Sequence, residues 1–325
     1  MLETKIEKTV GKLNFTPKQF LRDFGIIFAF LLLIVVLSSL NSNFLEYNNI
    51  INVVRQVAIN GLLAIGMTYV ILTGGIDLSV GSILAFSGVV SASLVTGDSE
   101  LPVLLAVLVG IMAGSILGFI NGFIIARFNV AAFVATLAMM SIARGLTMVY
   151  SNGNPISGLS DGFKFIGGGE LIGIPIPVII LFIVFVLGAF ILQKTRFGRY
   201  VYAVGGNETS ARVSGIKVNR VKIAVYTISG MLSGLAGVVL SARVTAGLPQ
   251  AGTAYELDAI AAVVIGGTSL VGGRGRLWGT IIGVLIIGVL SNGLDLLNVS
   301  SYFQMIVKGI IIIAAVLFDS KVNKG

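Results

Sequence analysis

The stretch that divides this chain is Arg199-Tyr-Val-Tyr-Ala-Val-Gly-Gly-Asn-Glu-Thr-Ser-Ala-Arg-Val-Ser-Gly-Ile-Lys217, a long polar island between two apolar segments. Residues 207–213 are predicted to form a short helix with Asn207 as its N-cap and Gly215 as its stop. The basic residues in and around the island are Lys194, Arg196, Arg199, Arg212, Lys217, Arg220 and Lys222. Such an excess of cations is typical of a cytoplasmic loop. We expect a capped helix, parallel to a membrane, that can dock another protein.

The composition places the chain among integral membrane proteins. Its mean hydropathy is +1.00, and 56% of its residues are hydrophobic but only 11% are charged, whereas a soluble domain has about 25% charged residues. Cysteine and histidine are absent, which excludes disulfides, thiol nucleophiles and the zinc sites that need either residue. The net charge of +8 falls mainly on one predicted side, so it indicates membrane topology rather than a nucleic-acid partner.

The apolar runs predict an all-α membrane protein, because a crossing helix needs about 20 apolar residues. Polar residues, Gly and Pro cut the chain into about ten transmembrane segments, at 24–40, 53–73, 80–96, 102–126, 130–150, 173–193, 221–241, 256–271, 278–293 and 302–319. Segments 80–96 and 256–271 are short, so each is either a span or a broken or re-entrant piece. The expected organisation is an N-terminal tail at 1–23, a single transmembrane domain at 24–319 with a loop at 194–222, and a C-terminal tail at 320–325.

The charges of the predicted loops alternate along the chain. Basic residues are concentrated in the two tails, in the 194–222 loop and in a turn at 272–277. The alternate loops carry the acidic residues Glu46, Asp98, Glu100, Asp161, Glu170 and Asp295. By the positive-inside rule, both termini and the 194–222 loop are expected to be cytoplasmic, and the N-terminus shows no cleavage site for a signal peptide.

Two glycine-rich turns interrupt the apolar runs. Gly74-Gly-Ile-Asp-Leu-Ser-Val-Gly-Ser82 is similar to Gly266-Gly-Thr-Ser-Leu-Val-Gly-Gly-Arg274. Such interruptions predict either broken helices around a transport site or tight turns that use glycine at positive φ. Asp77 is predicted to cap a helix that begins at Leu78. The residues assigned to this motif are Gly74, Gly75, Asp77, Ser79, Gly81, Gly266 and Gly267.

Small residues recur at helical spacing in three apolar segments, at 112–122, 230–237 and 279–288. Stripes of this kind let helix backbones approach closely in a membrane. They predict a tightly packed bundle of helices.

Polar residues inside the predicted spans are candidates for a transport path, because they are costly there. The ionisable ones are Asp77, Arg144, Glu256, Asp258 and Lys308. For Arg55, Arg243 and Asp258, a position at a membrane interface is the preferred interpretation. The residues assigned to a path for a polyol are Asn60, Thr68, Asn121, Arg144, Asn152 and Asn154.

Catalysis is not indicated by the sequence. The segment nearest to a phosphate-binding loop, 188–195, lacks the second glycine and lies in a predicted span. No carboxylate pair lies beside a base that could serve hydrolysis. We therefore expect no catalytic residue, metal or cofactor on this chain, and any ATP is expected to be bound by another chain.

A series of sequence blocks follows from about residue 49 to residue 318. The blocks are Thr73-Gly-Gly-Ile-Asp-Leu-Ser-Val-Gly-Ser82, Phe133-Val-Ala-Thr-Leu137, Arg144-Gly-Leu-Thr-Met-Val-Tyr150, Ala203-Val-Gly-Gly-Asn-Glu208, Ser214-Gly-Ile216, Tyr255-Glu-Leu-Asp-Ala-Ile-Ala-Ala-Val-Val264 and Gly266-Gly-Thr-Ser-Leu270. In this order they resemble the permease subunits of bacterial monosaccharide ABC importers, most closely those of the ribose type.

The resemblance implies a set of partners in the bacterial cytoplasmic (inner) membrane. They are a second copy of the chain, a cytoplasmic ATPase with two nucleotide-binding domains that holds ATP and Mg, and an extracytoplasmic sugar-binding protein. The polar island is similar to the ATPase-coupling loop of such permeases, although Thr209 and Ser210 replace two alanines of the family pattern. The residues carried over to that loop are Gly205, Gly206, Asn207, Glu208, Ala211, Arg212, Ser214 and Gly215.

Other functions are considered beside this one. A stand-alone secondary transporter or channel for a small polar solute is the main alternative, and a structural or receptor subunit is another. The spans lack the repeated acids and bases of proton relays, which favours the ABC importer. Related importers for galactose, xylose, arabinose and autoinducer-2 share similar blocks, so the blocks alone do not decide the sugar.

Overall fold

The computed structural model describes residues 17–97 and 101–322. It shows that the chain is an all-α membrane protein. The longer helices are α1 (Pro17–Leu40), α2 (Tyr47–Leu72), α4 (Val103–Phe128), α5 (Ala132–Ser151), α7 (Ile176–Lys194), α10 (Val218–Val244), α12 (Leu277–Leu296) and α13 (Ser301–Val322). The shorter helices are α3 (Val80–Ser93), α6 (Asp161–Gly168), α8 (Arg196–Gly206), α9 (Glu208–Val213) and α11 (Tyr255–Ile265), with a 3-10 turn at Ser42–Leu45. A small antiparallel hairpin pairs β1 (Glu170–Leu171) with β2 (Ile174–Pro175).

Six helices of the described ranges are long and apolar enough to cross a membrane, namely α2, α4, α5, α7, α10 and α12. The predicted count of about ten spans is therefore not confirmed. Helices α3 and α11 have 14 and 11 residues, so they are about 21 and 17 Å long, which is shorter than the roughly 30 Å hydrocarbon core. Segments 80–96 and 256–271 are thus broken pieces, which hydropathy alone could not distinguish from spans.

Both predicted tails include helical residues. Helix α1 already begins at Pro17, so residues 17–23 are helical, and the rest of the 1–23 tail lies outside the described residues. At the other end, residues 320–322 continue α13, and residues 323–325 lie outside the described ranges. The apolar stretches that α1 and α13 contribute are Gly25–Leu40 and Ser301–Ala314.

The helices form two halves of similar construction. The first half runs through α2, an irregular connecting segment at 73–79, α3, α4 and α5; the second runs through α10, a connecting segment at 245–254, α11, α12 and α13. The packing is reciprocal, because α10 packs against α3 and α4 while α2 packs against α11 and α12. Helices α2 and α10 contact each other at the centre, and α2 is buried from Val57 to Leu72.

The two halves run in opposite directions. Gly75, just after the end of α2, lies against Tyr226 near the start of α10, and Gly66 lies against Ser229. The short helices α3 and α11 begin beside each other, because a Cβ at Gly81 would overlap the carbonyl oxygen of Gly252. The positive ends of both half-helices therefore lie between the two faces of the bundle.

One end of the bundle, which we call the basic face, carries α8 and α9. Helices α2, α4 and α7 end there, and α10 and α12 begin there. Its basic residues are Arg127, Lys194, Arg196, Arg199, Arg212, Lys217, Arg220, Lys222, Arg274 and Arg276. The opposite face carries the described acidic residues Glu46, Asp161, Glu170 and Asp295.

Glycine sets the distance between α4 and α10. A Cβ at Gly114 would overlap the carbonyl oxygen of Gly230, and a Cβ at Gly230 would overlap that of Gly114. A Cβ at Gly118 would overlap the carbonyl oxygen of Tyr226 and would meet the backbone of Gly230. The predicted stripes at 112–122 and 230–237 are confirmed and pack against each other, so the two backbones touch without intervening side chains.

Candidate coupling and translocation sites

Helix α9 has the ends that the sequence predicts. The side chain of Asn207 accepts a hydrogen bond from the Ser210 N–H at 2.8 Å. Gly215 has a φ of +84°, and Ile216 N–H donates to the carbonyl of Ala211 at 3.1 Å. These bonds close the helix with glycine in the left-handed region, where an L side chain is strained.

Glu208 attaches α9 to α10. Its carboxylate accepts a hydrogen bond from Lys222 Nζ of α10 at 2.6 Å and another from Arg212 at 3.0 Å. The bond from Lys222, together with the nearby charges of Lys222 and Arg212, lowers the pKa of Glu208 below its usual value. The carboxylate therefore stays ionised and joined to α10 at neutral pH.

The outer surface of α9 remains uncovered in the single chain. Arg212, Val213 and Ser214 are exposed, and Val213 reaches 85% exposure. Ala211 is buried against the bundle at 4% exposure. An exposed aliphatic side chain on a well-anchored short helix is suited to contact with another protein.

Helix α8 was not predicted from the sequence. Thr195 caps it by accepting from Gly198 N–H at 3.3 Å, and Val201 and Val204 on one side are buried. The sequence does contain a signal for this helix, because a threonine that can act as N-cap is followed by apolar residues at helical spacing. The large number of charges in the island masked it.

Glycines of three separate segments meet at the basic face, in what we call the glycine junction. Gly273 N–H donates to the carbonyl of Leu72, the last residue of α2, at 2.9 Å, and a Cβ at Gly205 would overlap that same oxygen. Gly272 lies against Gly74 and against the carbonyl of Gly205. The junction thus joins the predicted coupling loop to the start of the first connecting segment.

Gly266 and Gly267 do not correspond to Gly74 and Gly75. They follow the half-helix α11, and Gly266 packs against Gly279 of α12. The pair at Gly74 precedes a half-helix instead. The structural counterpart of the 73–79 segment is 245–254, so the sequence similarity between 74–82 and 266–274 does not mark equivalent positions.

Asp77 is fully buried and does not cap α3 in the predicted way. The helix begins at Val80, two residues beyond the predicted Leu78, and its N-cap is Ser79. Asp77 Oδ1 accepts from Ser79 N–H at 3.0 Å and from Ser79 Oγ at 2.5 Å, while Oδ2 accepts from Ser229 Oγ of α10 at 2.8 Å. The carboxylate therefore fixes the first connecting segment to α10. Ser229, which the sequence analysis missed, lies next to the glycine stripe of that helix.

Asn121 extends this cluster toward α4. Its Nδ2 donates to Ser79 Oγ at 2.9 Å. In the described part of the chain, neither Asn121 Oδ1 nor the Tyr226 hydroxyl has a hydrogen-bond partner, and both are buried. Tyr226 also lines a cavity of about 360 Å³ at the basic face, between the 73–75 turn, the α4–α5 turn and the Glu208–Lys222 pair.

Arg144 of α5 contacts the second connecting segment. Its Nη1 donates to the carbonyl of Pro249 at 2.6 Å and to that of Ala251 at 2.9 Å. Nearby, Lys308 of α13 pairs with Asp258 of α11 at 2.9 Å. Asp258 is buried rather than placed at an interface as predicted, whereas Arg55 pairs with Glu170 near the opposite face.

The remaining path residues are dispersed. Thr68 of α2 exchanges a hydrogen bond with Thr280 of α12 at 2.9 Å, and Asn60 is buried on α2. Asn152 ends α5, and Asn154 donates to its carbonyl at 3.1 Å near the opposite face. The six predicted path residues are thus distributed over α2, α4, α5 and the segment that follows α5, and a shared path through them stays a prediction. Among the described residues, no group of three or more acidic side chains could hold a metal ion.

The comparisons with known proteins agree with this architecture. A family model described as "Branched-chain amino acid transport system / permease component" matches residues 49–316. The ribose import permease protein of Bacillus subtilis (strain 168) is 56% identical over 89% of this chain and 90% of its own length, and that of Escherichia coli (strain K12) is 50% identical over 97% and 98%. The L-arabinose ABC transporter permease of Azospirillum brasilense is 40% identical over 91% and 86%. No solved structure matches the chain.

Proposed function

This chain belongs to the permease-component family that matches it over residues 49–316, and on this premise we propose that it imports ribose. It is a multi-pass inner-membrane protein and the permease subunit of an ABC sugar importer. Ribose is favoured because the two ribose permeases share 50% identity or more with this chain, whereas the L-arabinose permease shares 40%.

The partners follow from this role. A cytoplasmic ATPase with two nucleotide-binding domains binds ATP and Mg, because this chain has no phosphate-binding loop. An extracytoplasmic binding protein delivers the sugar, and a second copy of the chain completes the pathway. The second copy is part of what the resemblance of the sequence blocks to such permeases implies.

The basic face is cytoplasmic in this proposal, and so are both termini. This orientation is supported by the charges of the two faces. Lys and Arg are concentrated around α8, α9 and the start of α10, whereas the other face carries acidic residues. The positive-inside rule gives that orientation. Helix α9 then faces the compartment that contains ATP.

ATP-driven transport requires the states of the ATPase to bias the inward-facing and outward-facing permease states differently. The observation that carries our coupling route is the contact of Gly205 with the end of α2 at the glycine junction. The ATPase contacts α9 at Val213, and α9 is attached to α10 through Glu208. Motion of α9 therefore reaches both α2 and α10, the two central helices of the halves.

The first connecting segment receives this motion. Gly74 lies against the junction, and Asp77 joins the same segment to Ser229 of α10. Displacement of the segment shifts the start of α3, which lies beside the start of α11 at Gly252. The sugar crosses near these half-helix ends and meets polar groups that bind it weakly, because high affinity belongs to the binding protein.

The function is tested by uptake into membrane vesicles. Radiolabelled ribose, arabinose, xylose and galactose are supplied in turn, with the binding protein on one side and the ATPase and ATP on the other. We expect ribose to accumulate only when both partners and ATP are present. Ribose accumulation without ATP would favour a secondary transporter instead. Preferential uptake of another sugar would leave the permease role intact but overturn the substrate assignment.

A further inference from the structure

A second cavity, of about 490 Å³, opens on the basic face beside α9, which we call the coupling helix, and the coupling route does not use this cavity. It lies between the start of α8, the turn that follows Gly215 and the start of α10. Its wall is largely apolar and includes Phe197, Ile216, Val221 and Ala224. A slot of this kind offers space for an acyl chain or an aliphatic side chain.

We place the cavity at the boundary between lipid headgroups and hydrocarbon, because its lining combines two cations of the basic face with apolar side chains further along α10. Helix α10 has 27 residues and is therefore about 40 Å long, roughly 10 Å more than the hydrocarbon core. Its first turns, with Arg220, consequently lie at headgroup depth, and Ala224 lies about 6 Å deeper. Tyr200 of α8 lines the same cavity and is 40% exposed. Tyrosine is enriched at the level of the lipid headgroups, which agrees with this placement.

The rim of the cavity carries two positively charged side chains. Lys217 and Arg220 are both exposed and line the cavity. Within residues 17–97 and 101–322, no carboxylate pairs with either cation, because the nearby Glu208 binds Lys222 and Arg212. Two free cations above an apolar slot match a ligand with an anionic head and a hydrocarbon tail.

We propose that this cavity binds one anionic phospholipid. Its phosphate contacts Lys217 and Arg220, and one acyl chain lies along Val221 and Ala224. A free phosphate would leave the apolar wall uncovered, so the lipid is the better match to the whole cavity. The bound lipid also lies against the turn at Gly215 that closes α9, which makes the coupling helix sensitive to the anionic lipid content of the membrane.

The test uses the full-length chain in nanodiscs of phosphatidylcholine with a minor fraction of phosphatidylglycerol. Native mass spectrometry measures how much phosphatidylglycerol remains bound relative to phosphatidylcholine. The variant Lys217→Gln/Arg220→Gln is compared with Lys194→Gln/Arg199→Gln, which removes the same charge from the same face outside the cavity lining. We expect a loss of about 30-fold in relative retention for the first variant, since two headgroup contacts disappear, and near wild-type retention for the second.

A third variant separates a lipid from a bound ion. Ala224→Trp keeps both cations but fills the apolar slot, so it too is expected to lose phosphatidylglycerol. Three results would overturn the proposal: unchanged retention in Lys217→Gln/Arg220→Gln, equal loss in the control variant, or normal retention in Ala224→Trp.

Discussion

The two connecting segments occupy equivalent places in the two halves, but different chemistry holds them. The first, at 73–79, is held by hydroxyl groups: Ser229 donates to Asp77, and Thr136 donates to the carbonyl of Ile76 at 3.2 Å. The second, at 245–254, is held by the guanidinium of Arg144, which donates to two of its carbonyls. The two segments therefore occupy equivalent places although different polar groups hold them.

Close approach of two backbones at a glycine is the constraint that both halves share. In both, the chain passes close to a neighbouring backbone at a glycine, as at Gly81 against Gly252. The polar partners then reflect what lies nearby. The first segment adjoins the glycine junction and the coupling helix, while the second adjoins the buried Asp258–Lys308 pair. We expect glycine changes to affect both halves and polar changes to affect one.

The largest effect is expected at the helix contact on which both segments depend. Gly114→Ala places a Cβ against the carbonyl oxygen of Gly230, and neither backbone can move, so the free energy of unfolding should fall by about 3 kcal/mol. Gly288→Ala is the matched variant. Its Cβ would meet a methyl group of Val57, a buried β-branched side chain, rather than a backbone atom, and the gain of about 1 kcal/mol in helix propensity offsets part of that overlap, so its loss should be clearly smaller.

These two variants are compared by unfolding in mixed micelles and by the yield of monodisperse protein. Equal losses for Gly114→Ala and Gly288→Ala would contradict the claim that backbone contact between α4 and α10 sets the frame for both halves.

A smaller loss is expected at the second connecting segment. Arg144→Leu removes a charged donor from the carbonyls of Pro249 and Ala251, which should cost about 2 kcal/mol. Arg144→Lys keeps one donor and should lie between this variant and the wild type. Thermal unfolding and ribose uptake measure both variants. If Arg144→Leu is as stable and active as wild type, the guanidinium does not hold the segment.

The first segment should tolerate loss of charge better than loss of hydrogen bonds. Asp77→Leu leaves the Ser79 N–H and the Ser229 hydroxyl without an acceptor and should cost about 1–2 kcal/mol. Asp77→Asn keeps an acceptor oxygen, so most of the stability and uptake should remain. An Asp77→Asn protein that folds and assembles but does not transport would show that the negative charge itself is needed.

The smallest effect is expected from the ion pairs of Glu208. Lys222, and secondarily Arg212, lower its pKa in the folded chain, so the pairing stabilises α9 above the unfolded pKa of about 4.3 and is lost as the pH falls through the lower folded value. Because the group is partly exposed, the contribution should stay below ~1 kcal/mol. A spin label at Ser210→Cys should therefore gain mobility only at a pH below the range in which an ordinary glutamate titrates.

Lys222→Met is the control for this titration, since it removes the main cause of the shift. Because Lys222 is also the residue that joins Glu208 to α10, the label in this variant should already be mobile at neutral pH and should change little as the pH falls. Two results would show that Glu208 does not anchor α9. One is a label whose mobility is the same across the pH range, and the other is a Lys222→Met protein that titrates like the wild type.

Features that depend on neighbours in the sequence could be predicted. Asn207 and Gly215 mark the ends of α9 by local backbone chemistry, and the glycine stripes marked the α4–α10 contact. The junction of Gly205 with Leu72 could not be predicted, because it joins residues far apart in the chain and leaves no periodic signal. The partnership of Asp77 with Ser229 was missed for the same reason. The half-helices stayed ambiguous since hydropathy reports apolar content and not where a helix begins.

The central claim is that the glycine junction transmits the motion of the coupling helix to the first connecting segment. Gly205→Ala tests it, with the adjacent Gly206→Ala as control, because a Cβ at Gly205 would overlap the Leu72 carbonyl while a Cβ at Gly206 meets open space. Ribose uptake and ATPase activity are measured in the same vesicles with both partners present. We expect Gly205→Ala to assemble and to keep basal ATP hydrolysis but to lose uptake and ribose-stimulated hydrolysis, while Gly206→Ala behaves like the wild type. Normal uptake by Gly205→Ala, or equal loss in both variants, would contradict the central claim.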